Sequence, residues 1–242
     1  NSKANSAEFN YNLGDLVPAF DLTVGGQYRE YILRSGGSLF TDYDGPIKFN
    51  QLGVYTQVQK DLFEGAVKLT GSIRYDKSQF FDGSFTPRLG ALVFLSPQHN
   101  VRFSYQTGFQ NPTSQDQYIG LDAGVSVLMG SSPDSIDRFR MNLIGQSSLT
   151  PYTVTGNMVM NNSYTTGSLN GDFTPAKLDP VEPQYVNSRE LGYRYNGKKV
   201  AVDVSAYWSK FQNFLAAKNV ITPLYGSVNN LTGAAAVAAG DY

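Results

Sequence analysis

Alternation between apolar and polar residues recurs along this chain and constrains its fold more than any other feature. In the segment 66–77, an apolar or small residue occupies every odd position from Val67 to Tyr75, and a polar residue occupies every even one. Successive side chains of a β-strand point to opposite faces, so the pattern predicts a strand with one apolar and one polar face. The same reasoning predicts about eight strands, at approximately residues 8–13, 21–33, 49–60, 66–77, 85–95, 101–109, 189–195 and 200–214.

The connections between these segments differ in length in a regular way. Those after the first, third, fifth and seventh segments are short, those after the second and sixth are long, and the one after the fourth is intermediate. Alternate connections of an up-and-down barrel lie on the same side. Outer-membrane barrels combine short periplasmic turns and long outer loops with strands of about ten residues. We therefore predict an all-β chain that forms part of an antiparallel up-and-down transmembrane β-barrel, with its longest outer loop at 110–188.

Aromatic residues and hydropathy support a membrane location. Tyr75, Phe85 and Phe109 lie at strand ends that lead to the longer loops, and Phe63 and Phe94 lie near short turns. Amphipathic rings prefer the two membrane interfaces. A mean hydropathy of −0.28 is compatible with a barrel in which only alternate residues face lipid. In the alternative, a large soluble β-sandwich, the rings would fill the core, and the asymmetry of the loops would have no explanation.

Groups that could carry catalysis or hold a metal are sparse. The chain has one His, His99 in a predicted inner turn, and no Cys, and we find neither a catalytic triad nor a zinc site. Asp42 and Asp44 could help to hold calcium, but two carboxylates are too few for a site, and we predict a turn there. A net charge of −1 offers no basic surface to nucleic acid. We therefore predict no enzymatic activity, no cofactor and no nucleic-acid partner.

Six charged residues share the predicted polar face, which would line the barrel lumen. They are Arg74, Asp76, Arg88, Arg102, Glu190 and Arg194. An Arg or Lys facing lipid at mid-depth would cost about 2–4 kcal/mol, so these residues are expected in the lumen. They are our candidate binding residues, as a charged wall that contacts a plug or a passing ligand. The competing interpretation, which we favour, is a network of salt bridges that stiffens the barrel.

The segment 110–188 is the other candidate for function. It is rich in Asn, Ser, Thr and Tyr. Loops of this length are usually functional or disordered. Their composition here suits capture of a polar ligand or of a partner protein.

Three groups of residues, taken in chain order, carry a family resemblance. They are RYD at 74–76 with TPRLG at 86–90, then GFQNP at 108–112, and finally ELGY at 190–193 with Tyr207, Trp208, Asn213 and Phe214. Together they resemble the barrel of TonB-dependent outer-membrane receptors, particularly those of Bacteroidota-type bacteria. The resemblance covers about residues 49–120 and 188–215.

The resemblance implies a larger protein and a transport function. Barrels of this family have about 22 strands and a plugged lumen, so this chain would supply about eight of them. We expect the plug domain and the energy-coupling segment to lie outside this chain. The implied function is import of a nutrient ligand across the outer membrane of a Gram-negative bacterium, driven by a TonB-type energy-coupling protein. Outer-membrane lipid is a further implied partner, and a surface lipoprotein or a larger outer-membrane complex stays open.

Two other functions remain as alternatives at this point. A self-contained eight-stranded barrel with a structural, adhesive or scaffolding role would require the first and last strands to pair. A barrel enzyme would need a Ser-Lys or carboxylate mechanism that we cannot locate. The ligand of a receptor is also open among siderophores, cobalamin, oligosaccharides and peptides.

Overall fold

Eight long strands form the main sheet of the computed structural model, which describes residues 2–14, 17 and 19–242. The strands in chain order are β1 (Lys3–Asn12), β2 (Asp21–Leu33), β3 (Ile47–Leu62), β4 (Val67–Ser78), β5 (Ser84–Ser96), β6 (His99–Gln110), β7 (Gly120–Asp122), β8 (Val127–Met129), β9 (Arg140–Ile144), β10 (Pro151–Thr155), β11 (Tyr164–Thr165), β12 (Gln184–Asn196), β13 (Ala201–Gln212) and β14 (Val220–Ile221). The helices are α1 (Ser114–Tyr118), α2 (Pro133–Arg138), α3 (Gly156–Asn161) and α4 (Leu231–Ala238), with a 3₁₀ turn at Thr166–Asn170.

The main sheet has the order β1-β2-β3-β4-β5-β6-β12-β13, with each strand antiparallel to the next. Its predicted antiparallel topology is therefore confirmed. Within the described residues, β1 pairs only with β2 and β13 pairs only with β12, so the sheet is open at both edges. The β3–β4, β5–β6 and β12–β13 connections, of two to four residues, lie at one end of the sheet, which we call the inner end. The long β2–β3 and β6–β12 connections lie at the other, the outer end. The β4–β5 connection at the outer end, expected to be intermediate in length, has only five residues and is shorter than the β1–β2 connection at the inner end, because β4 and β5 extend beyond their predicted bounds.

The two faces of the sheet differ as the alternation predicts. Paired residues share a face, so Leu69, Leu89 and Phe103 lie together on the apolar face, and Arg74 and Thr86 lie on the polar face. The apolar face is uncovered: large side chains such as Leu89 stay 57% exposed. Exposed aliphatic side chains over a wide surface mark a membrane or interaction surface.

Several strand bounds differ from those predicted. β2 spans the predicted 21–33, but β1 begins at Lys3 instead of residue 8 and β12 at Gln184 instead of 189. The long connection therefore covers 111–183. Alternation fails at both of these strand starts: the first half of β1 has polar residues and alanine on both faces, and in β12 Asn187 and Arg189 lie on the apolar face. The C-terminal end of β13 is at Gln212, because Asn213 adopts a positive φ of 55°.

The long connection and the C-terminal tail fold together into one unit, which we call the outer cap (111–183 and 213–242). Phe139, only 1% exposed, packs with Val154 and Leu224, and Tyr164 packs with Val237. Both clusters join residues of the long connection to residues of the tail. The segment predicted as a functional or disordered loop is therefore ordered by its own buried side chains. No helix in the described part of the chain is long and apolar enough to cross a membrane.

The outer cap is anchored to the β2–β3 loop. Tyr118, at the end of α1, stacks on Phe49 at 5.7 Å within a buried cluster at the outer end of the sheet. Thr41 Oγ1 and Ser135 Oγ are 3.2 Å apart and hydrogen-bonded in a buried position. These contacts fix the cap over the polar face, where the candidate residues lie.

Candidate functional site

The six candidate residues occupy the polar face in two groups. Arg74 and Asp76, in the outer half of β4, form a two-pronged ion pair with Nη2–Oδ1 and Nε–Oδ2 distances of 2.6 and 2.7 Å. Arg88 lies beside them on β5. The other three, Arg102, Glu190 and Arg194, meet on β6 and β12.

The second group is organised by a residue that the sequence prediction did not select. Asp203 of β13 accepts from Arg102 Nη1 at 2.9 Å and from Arg194 Nε at 2.8 Å. Arg102 Nε donates to Glu190 Oε1 at 3.2 Å. Two arginines and two carboxylates thus form one chain of ion pairs across three strands. The sequence pattern could have identified it, because Asp203 lies between Val202 and Val204 and therefore falls on the predicted polar face.

Arg88 differs from the other arginines of the two groups. Among the described residues, its guanidinium makes no ion pair and no hydrogen bond, whereas Arg74, Arg102 and Arg194 each have a carboxylate partner. A guanidinium carries five donors in a fixed planar arrangement that suits carboxylate or phosphate. Of these four arginines, Arg88 is therefore the one best able to receive an anionic group.

A cavity of about 510 Å³ lies between the polar face and α1. Arg74, Asp76 and Arg88 line it, together with Arg29 and Gln117. Gln117 is only 2% exposed; its Nε2 donates to Pro112 O at 2.7 Å, and its Oε1 has no partner within the described structure. The cavity therefore presents guanidinium donors and one unmet acceptor, a set that suits a polar ligand.

The predicted turn at Asp42 is built around its carboxylate. Asp42, 3% exposed, accepts from Ser35 Oγ and from the backbone amides of Ser35, Gly36 and Gly37 at 2.5–2.9 Å. Burial raises the pKa of Asp42, but these four donors outweigh it and lower the pKa to about 2. Gly36 and Gly37 have φ of 65° and 76°, which glycine adopts without strain.

Asp44 joins the same loop to the outer cap. Both of its oxygens accept from Arg140, at 2.6 and 2.9 Å, and this hydrogen bonding lowers the pKa of Asp44. Asp42 and Asp44 thus serve the turn and the cap. In the part of the chain that the structure describes, no group of three or more His, Cys, Asp and Glu residues could hold a metal ion.

Comparison with known proteins gives a consistent family. The family model described as TonB dependent receptor-like, beta-barrel matches residues 1–240. The fold is similar to that of the siderophore receptor PirA from Pseudomonas aeruginosa, at 16% identity and a TM-score of 0.53, over 87% of this chain and 32% of that one. It is also similar to the FrpB iron transporter from Neisseria meningitidis, at 15% identity and a TM-score of 0.53, over 91% of this chain and 31% of that one.

A variant of the ferric enterobactin receptor PfeA from Pseudomonas aeruginosa has a TM-score of 0.55 at 14% identity, over 87% of this chain and 27% of that one. Identities this low show a shared fold alone. The chain spans about a third or less of the length of these receptors. No curated protein matches the chain.

Proposed function

The chain belongs to the family of TonB-dependent receptor β-barrels, and on this premise we propose that it forms part of the barrel wall of an outer-membrane importer. The importer takes up a nutrient ligand with energy supplied from the inner membrane. The observation that carries this proposal is the family match over 1–240, which includes every strand of the main sheet. Proteins of this family are receptors and transporters, not enzymes.

The proposal includes the location and partners of the receptor. Its apolar face contacts outer-membrane lipid of a Gram-negative bacterium of the Bacteroidota type, whose receptors the three sequence motifs resemble. A TonB-type protein couples it to the inner membrane, through a plug and a coupling segment outside this chain. A surface lipoprotein or a larger outer-membrane complex is a further partner of the same proposal.

We assign different roles to the two groups of candidate residues. Arg74, Asp76 and Arg88 line the cavity, and Arg88 has no hydrogen-bond or ion-pair partner among the described residues, so this group contacts the ligand during uptake. Arg102, Glu190 and Arg194 are paired within the Asp203 network and stiffen the wall. The alternative of a self-contained eight-stranded barrel has no supporting observation, since β1 and β13 do not pair within the described residues.

The test is uptake by cells that carry the full receptor. Labelled ferric enterobactin, cobalamin, maltoheptaose and an oligopeptide are supplied separately, to cells with and without the coupling protein. We expect one probe to enter only when both proteins are present. The proposal would be overturned if every probe entered the cells equally well with and without the coupling protein.

Arg88→Gln then tests the assigned cavity residue. We expect it to weaken binding of an anionic probe by about tenfold or more, since it removes charge-assisted hydrogen bonds. Lys198→Gln, in the turn between β12 and β13, makes the same charge change far from the cavity and serves as the control.

A further inference from the structure

The apolar face changes character at the outer end of β6, β12 and β13. Paired residues there form three successive rows, and from the rim inward the rows are Phe109–Tyr185–Gln212, Thr107–Asn187–Lys210 and Tyr105–Arg189–Trp208. The next rows are Phe103–Leu191–Ala206 and Val101–Tyr193–Val204, which carry no charge. Two cations, Arg189 and Lys210, thus stand with the amides of Asn187 and Gln212 at the outer end of these strands, whereas the two rows below them are aliphatic and aromatic.

These cations have no carboxylate partner. The Arg189 guanidinium lies over two rings, 5.6 Å from Trp208 and 5.9 Å from Tyr105, and neither Arg189 nor Lys210 forms an ion pair within the described structure. No Asp or Glu occupies the apolar face of β12 or β13. The acids of these strands, Glu190 and Asp203, point to the opposite face and are paired there.

Their position along the strand is that of a membrane interface. Asn187 lies ten residues, and Arg189 eight residues, before Gly197, which begins the inner turn. A tilted strand crosses the hydrocarbon layer in about 9–11 residues. Asn187 and Lys210 therefore lie at headgroup depth in the outer leaflet, and the long side chain of Arg189 can extend up to it. Tyr105 and Trp208, in the row of Arg189, are ring types that favour this depth.

A cavity of about 430 Å³ opens at the same place. The pairing of β5 with β6 begins only at Arg88 and Gln106, and nearer the rim Pro87 has no amide hydrogen to continue the ladder. Thr107, Asn187, Arg189, Trp208 and Lys210 line the opening. Asn187 Nδ2 donates to Tyr105 Oη at 3.0 Å, whereas Asn187 Oδ1 is buried and has no partner within the described structure.

We propose that this cavity, which we call the rim pocket, binds the phosphorylated headgroup of a glycolipid in the outer leaflet. Phosphate oxygens accept from Arg189 and Lys210. A hydroxyl or amide of the sugar donates to Asn187 Oδ1, which would otherwise stay unsatisfied. The acyl chains lie along the aliphatic rows below. The inference rests on the proposed function for its membrane setting, but it concerns the opposite face from the importing lumen.

The experiment measures lipid binding to the full receptor, purified in detergent, by native mass spectrometry. The probes are a lipopolysaccharide with its lipid A phosphates, the same lipid dephosphorylated, and phosphatidylglycerol. We expect the phosphorylated glycolipid to bind in preference to both others. Arg189→Gln/Lys210→Gln should weaken its binding by about tenfold or more, because each cation contributes to attraction of an anionic headgroup. Asn187→Leu should reduce the preference for glycolipid over phosphatidylglycerol.

The control removes two other cations from the outer end of the same face. Lys3→Gln/Lys48→Gln makes an identical charge change on β1 and β3, away from both the rim pocket and the cavity on the polar face. An equal loss in this control, equal binding of the dephosphorylated lipid, or displacement by free inorganic phosphate would overturn the proposal. Coupled nutrient uptake by the same variants separates the two claims: uptake without selective lipid binding refutes the rim pocket alone.

Discussion

Asp42 shows how a single buried carboxylate fixes a loop of the outer end. Its pKa of about 2, against an ordinary 3.8, means that folding favours the ionised form. The contribution to stability is therefore complete above pH 4, and it is lost as the pH falls through about 2. At neutral pH it amounts to about 2 kcal/mol.

We predict that Asp42→Asn lowers the stability of the loop 34–46 by about 2 kcal/mol at pH 7, because the amide accepts fewer of the four hydrogen bonds. Amide hydrogen exchange of Ser35, Gly36 and Gly37, corrected for the intrinsic rate at each pH, measures the effect. As the pH falls towards 2, the protection of these amides in the variant and in the unmodified protein should become equal. Equal protection of these amides at pH 7 would contradict this role.

Asp203 is the corresponding residue of the polar face. Asp203→Asn removes the negative charge shared by Arg102 and Arg194 and replaces one of its two accepting oxygens with a donor, so that the two cations repel each other. We predict a lower midpoint of heat unfolding at low salt, and a difference that shrinks as salt screens the repulsion. Thermal unfolding followed by tryptophan fluorescence at two salt concentrations measures it. If the midpoint of heat unfolding were lowered by the same amount at both salt concentrations, lost packing and not charge repulsion would be responsible.

Among the elements, the β3–β4 turn contains two residues whose side chains disfavour the backbone conformation of the turn. Phe63 and Glu64 both have a φ of 54°, and Gly65 N donates to Leu62 O at 3.1 Å across the turn. Positive φ at two central positions is the type I′ arrangement, in which Asn and Gly are usual. The strand register requires the turn there, so the two residues adopt a conformation that side chains disfavour.

We predict that Glu64→Gly raises the free energy of unfolding by about 1 kcal/mol, because glycine adopts this φ without strain. Glu64→Ala also removes the carboxylate but keeps the strain, so it should give no such gain. Urea unfolding of the two variants in detergent micelles compares them. Equal stability of both variants would contradict the turn geometry.

The outer cap depends on contacts between distant parts of the chain. Phe139→Ala removes a ring that joins the long connection to Leu224 of the tail. We predict a loss of about 3–5 kcal/mol from the local stability of the cap. Limited proteolysis should then cut 140–155 and 213–230 together. Val125→Ala, at a 98% exposed position of the same cap, should be neutral, and cleavage of one segment alone would contradict a single cooperative unit.

These elements also show what a sequence can predict. Alternation located β4 to within one residue at each end, because a sheet with one apolar face requires period two. It missed the first half of β1 and the start of β12, where that requirement does not hold. The outer cap has no such period: its α1, α2 and α3 have five or six residues each, and its contact with the β2–β3 loop joins residues as distant as Thr41 and Ser135. Asp203 had the predicted parity, but only the register revealed its two partners.

At the scale of the whole molecule, the open sheet is the central feature. In the part of the chain that the structure describes, both edge strands have unpaired backbone groups along one side, and within a membrane these groups must be satisfied by neighbouring strands. Related receptors are about three times as long as the part of them that this chain matches. The account therefore requires β1 and β13 to pair with further strands of a larger barrel.

The most direct test is the intact mass of the native polypeptide, measured by denaturing mass spectrometry of the outer-membrane fraction. The account predicts a mass several times the 26.5 kDa of this chain, with peptides of residues 1–242 inside the larger protein. A membrane protein with a mass near 26.5 kDa would contradict it, because eight strands would then have to close on themselves.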